Sequence, residues 1–420
     1  MPGLARFSLL FVAYPTITAA IVSAFRRLQY PFFDRIISQP IQVQFFHRTA
    51  ASALTLTAPA SAATATYASP PNIGSTTTSL GNGANNKPAS GAGFSYLISP
   101  SFHPKNRKSA NGKIRQRKNG RPDSGEDCYF FTKIRDSDSV ALGVIDGVGG
   151  WNEIGVDATD FSHTLAETMT ELTSKLVIDS AKVDPENQIA SDYAFPPLVL
   201  LDAAYTAVKS SGEVKAGGST ACVGVAHSNG TLQAANLGDS GFFIFRDGKL
   251  HYMSDPQTHF FNAPYQLAII PQQIIEENAR RGGKNFDDKP SDASLSTHKL
   301  KHGDVVVFVT DGILDNLAPQ DCLRIVSEEM VLNGNWIVDR RSGDIHANAS
   351  DKQYTGVDSL ARRIVGAAFK ASIDPKTDGP FAKEAQRQVK VLYKGGKPDD
   401  ITAVVMFVQQ SLGGRPQDKL

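Results

Sequence analysis

The chain has 420 residues, 41% of them hydrophobic and 20% charged, with a net charge of +1 at pH 7. That is the composition of a soluble globular protein with room for one large or two medium domains. Its three cysteines, Cys128, Cys222 and Cys322, are far apart and odd in number, which excludes a disulfide framework or a zinc spacing.

The charge is unevenly placed. Residues 1–122 hold 14 Lys and Arg and a single acid, Asp34, so the remainder carries 29 basic and 41 acidic residues. Residues 1–50 read as an address: Arg6, Arg26, Arg27, Arg35 and Arg48 are spaced through Ser-, Thr- and Ala-rich sequence, the composition of a mitochondrial presequence leading to the matrix. Phe7–Phe25 carries no charge and is long enough to span a bilayer. A membrane anchor is therefore one alternative, weakened by Pro15 and the hydroxyl residues, and a secretory signal is the other. Membrane contact is expected only if that stretch is retained. Residues 51–93 have almost nothing to bury and read as a flexible linker. Lys105–Arg121 is a basic run without interleaved aromatic residues, better explained as a solvated loop than as a docking patch for phospholipid or nucleic acid.

A folded domain is expected over 94–410, followed by a tail at 411–420. Phe94–Ile98 opens it, and Cys128–Ile134 reads as a strand that pairs with Val140–Ile145 through the turn 135–139. Asp160–Ser180 has apolar residues at helical spacing, and Leu198–Val208 reads as a second helix. Strands follow at Thr220–His227, Thr231–Asn236, Gly241–Phe245 and Lys249–Met253, with Asn-Gly and Asp-Gly where tight hairpins need positive φ. Gln273–Arg281, Leu360–Lys370 and Phe381–Val389 look helical, and the polar segment Asn333–Gly356 is either an insertion or a substrate-selecting flap. Helical pairs separated by antiparallel meanders predict an α+β layered sandwich.

The chemistry is carried by acids at strand ends. Val140–Ile145 stops at Asp146-Gly147-Val148-Gly149-Gly150, and the glycines let backbone come close to whatever Asp146 binds. A second apolar strand closes on Asp311-Gly312, and Asp399-Asp400 precedes the apolar run Ile401–Val408. If that run is antiparallel to the others, the three acids fall on one edge of a sheet. Carboxylates gathered there repel unless a cation lies between them. With Glu126-Asp127 before a strand, Asp255 in Met-Ser-Asp-Pro and no histidine set, the donors are oxygens and suit Mg²⁺ or Mn²⁺. Two such ions about 4 Å apart support hydrolysis of a phosphate ester. A Walker loop is absent, as is a cysteine with an arginine six residues on. An aspartyl-phosphate mechanism needs an acid two residues after the nucleophile. Asp146 is followed by Gly-Val and Asp311 by Gly-Ile.

These motifs, together with Gly218-Ser-Thr-Ala221 and Ala235-Asn-Leu-Gly-Asp-Ser240, resemble in kind and order the type 2C metal-dependent protein serine/threonine phosphatases. Gly147–Asp157 and Thr258–Leu267 resemble the mitochondrial branch, whose members are linked to ubiquinone-biosynthesis phosphoproteins. The resemblance implies a four-layer αββα sandwich, two antiparallel sheets flanked by helices, acting on phosphoserine and phosphothreonine proteins. By the same resemblance Asp146 bridges two Mg²⁺ or Mn²⁺ ions, Asp311 and Asp399 complete one, and Glu126 and the Gly147 carbonyl serve the other. Asp127 orients the attacking water, and Asp255 serves a loose third ion.

Two positions depart from the family pattern. Val148 stands where many members have histidine, leaving His259 as a candidate at the substrate, although packing explains that residue better. Pro122 stands where the phosphate-gripping arginine is usual, with Arg121 beside it as the substitute. Ser219, Thr220, Asp239 and Ser240 are expected to tie strand ends together, and Trp151 to cap the core. A catalytically weak scaffold is the alternative reading; it predicts lost metal acids, and all are present. No nucleic-acid partner is indicated, and a monomer is expected.

Overall fold

The computed structural model describes residues 78–79, 93–105, 120–134, 137–175, 196–350 and 352–410. The expected presequence with Phe7–Phe25, nearly all of the expected linker, most of the basic run and the expected tail at 411–420 lie outside them. The described chain falls into a main unit, within 75–275 and 285–420, and a second unit whose described part is Glu276–Lys284. That short segment ends a helix and its turn, with Gly282 at φ 71°.

Two antiparallel sheets form the centre of the main unit. The first runs β1 (Thr78–Ser79), β2 (Phe94–His103), β17 (Ile401–Gln410), β14 (Val305–Val309), β8 (Gly241–Arg246), β9 (Lys249–Met253). The second runs β13 (Ser294–Lys299), β7 (Thr231–Leu237), β6 (Ala221–Ala226), β4 (Val140–Asp146), β3 (Asp127–Lys133). Short pairs complete the strands: β5 (Gly217–Ser219) with β12 (Leu267–Ile269), β10 (Thr258–Phe260) with β11 (Ala263–Pro264), and β15 (Trp336–Val338) with β16 (Ile345–Ala347).

Strand alternation explains the layers. Val306 and Phe308 of β14, with Val404 and Met406 of β17, meet Leu142 and Val144 of β4 in a core between the sheets. Val305, Val307 and Val309 point the other way, towards α5 (Pro319–Leu332) and α6 (Val357–Ser372). Ala141, Ile145, Val223 and Val225 similarly face α1 (Ala158–Lys175) and α2 (Pro197–Ser211). Central strands covered on both faces must be apolar throughout, and every residue of β14 is buried. The result is the expected αββα sandwich. Three further helices, α3 (Gln272–Arg280), α4 (Asp311–Leu314) and α7 (Pro380–Gln388), complete the described elements of that type.

Most expected elements lie where the pattern placed them. The Asp-Gly turn between β8 and β9 has both residues at positive φ, 49° at Asp247 and 69° at Gly248. Helix α5 was not anticipated, although Pro319 starts it and Cys322, Ile325, Val326 and Met330 line its buried face. The polar segment 333–356 contains the β15–β16 hairpin, anchored by Trp336, whose indole N–H donates to the Gly303 carbonyl at 2.8 Å. One expectation is corrected: the acid-bearing strands do not share a sheet. β14 and β17 pair in the first, whereas β4 pairs with β3 and β6 in the second. Alternation fixes which face a side chain takes but not which sheet its strand joins.

Candidate active site

The acids meet across the ends of both sheets. In the second sheet Asp127 begins β3 and Asp146 ends β4, and the two are direct register partners. Glu126, one residue earlier, is 3% exposed, and its carboxylate receives Asn152 Nδ2 at 2.6 Å. Its backbone carbonyl accepts the Gly147 N–H at 3.1 Å and the Ser162 hydroxyl at 2.5 Å. A Cβ on Gly147 would lie 2.8 Å from that carbonyl oxygen and 3.0 Å from that of Ala158, so only glycine lets the chain pass here. From the first sheet, Asp311 follows β14 and Asp399-Asp400 precede β17, brought together because these strands are antiparallel.

Two contacts tie the sheets at this end. The Thr310 hydroxyl donates to Asp127 Oδ2 at 2.8 Å. Asp400 takes the Glu126 N–H at 2.9 Å and the Lys105 N–H at 2.7 Å, one on each carboxylate oxygen. Asp400 is therefore a backbone clamp, and Asp399 is the acid left to face the cluster.

The electrostatics are those of crowded acids. Burial lifts the Asp146 carboxyl well above the usual range, and Asp311, Asp127, Asp399 and Asp239 add to the rise. Asp127 is raised by burial and then by Asp400, against the Thr310 hydrogen bond. Its Oδ1 is buried without a partner. Asp311 is the exception: burial opposes its charge, but the Lys397 ammonium outweighs burial and holds the carboxyl low.

Lysines balance this charge. Lys397 Nζ lies 2.7 Å from Asp311, 2.6 Å from Asp315 and 3.3 Å from Asp399. Lys105 Nζ lies 2.8 Å from Asp399 and 3.6 Å from Glu126. Among the described residues no three acid, histidine or cysteine side chains close on a single point; the ammonium groups stand between them. Even so, the donor set fits a hard divalent cation. It is all oxygen, it already draws in positive charge, and it has one buried carboxylate oxygen with no partner.

The remaining candidates are placed elsewhere. Arg121 directs its guanidinium to Glu167 at 2.8 Å, to Thr164 at 3.0 Å and to Asp160 at 3.5 Å along α1. His259 stacks on Tyr265 with ring centroids 4.3 Å apart and pairs with Asp288 at 2.9 Å. Asp255 is exposed just after β9, its carbonyl receiving Asn236 Nδ2 at 3.4 Å. Trp151 is buried, its N–H donating to Gln266 at 3.0 Å. Thr220 and Ser240 hydrogen-bond to one another at 2.8 Å.

Sequence reasoning missed Asp239, Asp315, Lys105 and Lys397 as members of the site. Asp239 had a signal, because Gly238-Asp239 closes the apolar strand β7 just as Asp311-Gly312 closes β14. The lysines had none, since only the tertiary fold brings them to the acids.

The protein phosphatase 2C model matches residues 117–334. The chain is 36% identical over 317 residues to protein phosphatase 2C homolog 7, mitochondrial, of Saccharomyces cerevisiae, covering 75% of this chain and 83% of that protein. It is 32% identical over 288 residues to protein phosphatase PTC7 homolog of Homo sapiens, covering 68% and 80%. Among solved structures, the photosystem II phosphatase PBCP shares the fold, with a TM-score of 0.50 and 24% identity over 74% of this chain and 98% of that one. The chain belongs to the protein phosphatase 2C family of metal-dependent protein serine/threonine phosphatases.

Proposed function

We propose that this phosphatase holds two Mg²⁺ or Mn²⁺ ions between the ends of its sheets and acts on mitochondrial phosphoproteins. In this reading Asp146 would serve both ions, Asp311 and Asp399 would help hold one, and Glu126 and the Gly147 carbonyl would help hold the other. The observation that carries it is the gathering of Asp146, its register partner Asp127, Glu126, Asp311 and Asp399 where the two sheets end together. Packing has no use for such a group, whereas a cation does. When bound, the ions supply a water nucleophilic at neutral pH and positive charge against the phosphoryl oxygens. The chain supplies position. Asp127, fixed by Thr310 through one oxygen, presents the other to orient the attacking water.

Location is supported by the basic leader, nearly free of acids, and by the yeast relative, which is named mitochondrial. The matrix is the proposed compartment, and proteins of ubiquinone synthesis are the substrate class that the branch resemblance suggests. Regions 1–50, 51–93, 94–410 and 411–420 serve as address, linker, phosphatase domain and tail.

The test is phosphate release from a phosphothreonine peptide by the full chain in EDTA, Mg²⁺ or Mn²⁺, beside Asp146→Asn and Asp311→Asn. Activity that needs the ion and falls at least 100-fold in both variants is expected, the scale of losing a principal electrostatic group. Activity in EDTA, or undiminished in the variants, would sink the two-ion mechanism. A folded but inactive wild type would favour a scaffold.

A further inference from the structure

We infer that Lys397 is a resident counter-ion of the acid cluster and sets how tightly the site takes a divalent cation. This inference builds on the two-ion reading. Three features set the residue apart from an ordinary surface lysine.

Its backbone is locked. Asn316, 5% exposed, donates Nδ2 to the Lys397 carbonyl at 2.9 Å and accepts the Lys397 N–H on Oδ1 at 2.9 Å. Its ammonium is held by three carboxylates from two separate segments of chain: it hydrogen-bonds to Asp311 and Asp315 and forms an ion pair with Asp399 at 3.3 Å. It is also covered, with 15% of the side chain exposed and the ring centroid of Phe381 4.9 Å from Nζ. Lys105 shares the cluster more loosely, with 33% of its side chain exposed.

The geometry makes Lys397 a competitor. The Oδ2 atoms of Asp311 and Asp399 are the ones it engages, and these two acids are the proposed ligands of a single ion. A divalent cation entering there must displace Nζ or share those oxygens with a positive charge at hydrogen-bond distance. Lys397 therefore holds the metal-free acids together against their repulsion and weakens metal binding. Asp315 is the partner that keeps the ammonium in place, at 2.6 Å.

The experiment titrates Mn²⁺ into the full chain by calorimetry, with the free ion counted in parallel by electron paramagnetic resonance. Wild type is compared with Lys397→Met, Lys397→Gln and Asp146→Asn, and melting is followed in EDTA. Both Lys397 variants are expected to bind Mn²⁺ at least tenfold tighter than wild type and to melt lower than wild type in EDTA. If Lys397→Met does not fold without metal, Lys397→Gln carries the comparison, since its amide retains hydrogen bonds without charge. A Mn²⁺ Kd equal to or weaker than wild type in the folded Lys397 variants overturns the inference. If in that case wild type binds and Asp146→Asn does not, the two-ion reading survives alone. If neither wild type nor the Lys397 variants bind Mn²⁺, both fall.

Discussion

At the scale of single residues, the glycines after the acids have different tasks. Gly312 is confined by backbone: a Cβ there would lie 2.0 Å from the Asp400 carbonyl oxygen and 3.1 Å from Ile401 Cγ1. Neither neighbour can swing aside, because Ile401 begins the central strand β17. Gly150 meets nothing within 4 Å. Gly312→Ala is therefore expected to lose roughly 1–3 kcal/mol by forcing apart the segments bearing Asp311 and Asp399. Gly150→Ala should stay within about 0.5 kcal/mol of wild type. Urea midpoints of the two variants check the contrast, and equal midpoints would refute it. The sequence read all three glycines after Asp146 as making room at the site. That holds for Gly147, against Glu126 and Ala158, and for Gly149, whose Cβ would lie 3.2 Å from Glu126 Oε2, but not for Gly150.

At the scale of elements, helices α5 and α6 are joined by a buried charge. Glu329, 4% exposed, receives Arg363 at 2.6 Å, Asn333 Nδ2 at 3.0 Å and the Ser359 hydroxyl. Burial would raise this carboxyl, but the Ser359, Arg363 and Asn333 hydrogen bonds prevail and hold it below its ordinary value. A depressed acid stabilises the fold above its unfolded pKa and loses that contribution as pH falls through the folded value. Arg363→Met should therefore cost roughly 1–2 kcal/mol at neutral pH, discounted because Arg363 is partly exposed. The gap from wild type should narrow as Glu329 protonates in acid. Urea unfolding at neutral pH and in acid tests this, and a gap independent of pH would exclude the assignment. This helix pair also marks where the sequence was harder to read. The hairpin strands announced themselves through Asn-Gly and Asp-Gly turns, which are local signals. Helix α5 was hidden between an acid motif and a polar insertion, despite Pro319 at its first position. Membership of one sheet or the other was not legible, because the pairings that decide it, β4 with β6 and β14 with β8 and β17, join segments distant in sequence.

At the scale of the whole molecule, the site lies where two sheets end together, so its charge bears on their union. Without a divalent ion, Asp146 is a half-buried acid pressed by Asp311, Asp127, Asp399 and Asp239. Its folded-state pKa is raised, so its ionised form opposes folding, increasingly as pH rises above the unfolded value. Asp146→Asn removes that charge while nearly keeping the shape. The variant should thus melt higher than wild type in EDTA at neutral pH. With metal the order should reverse. An ion bound only by the folded state adds about 2.7 kcal/mol at a hundred times its Kd, and the stabilisation should pass to wild type and largely miss the variant. Thermal melts of both proteins, in EDTA and in excess Mn²⁺, read the crossing directly. A variant that melts lower than wild type in EDTA would mean that Asp146 holds the sheets together by itself. A variant that gains as much from Mn²⁺ as wild type would mean that the ions bind elsewhere. The crossing separates a carboxylate kept for a cation from one kept for the fold.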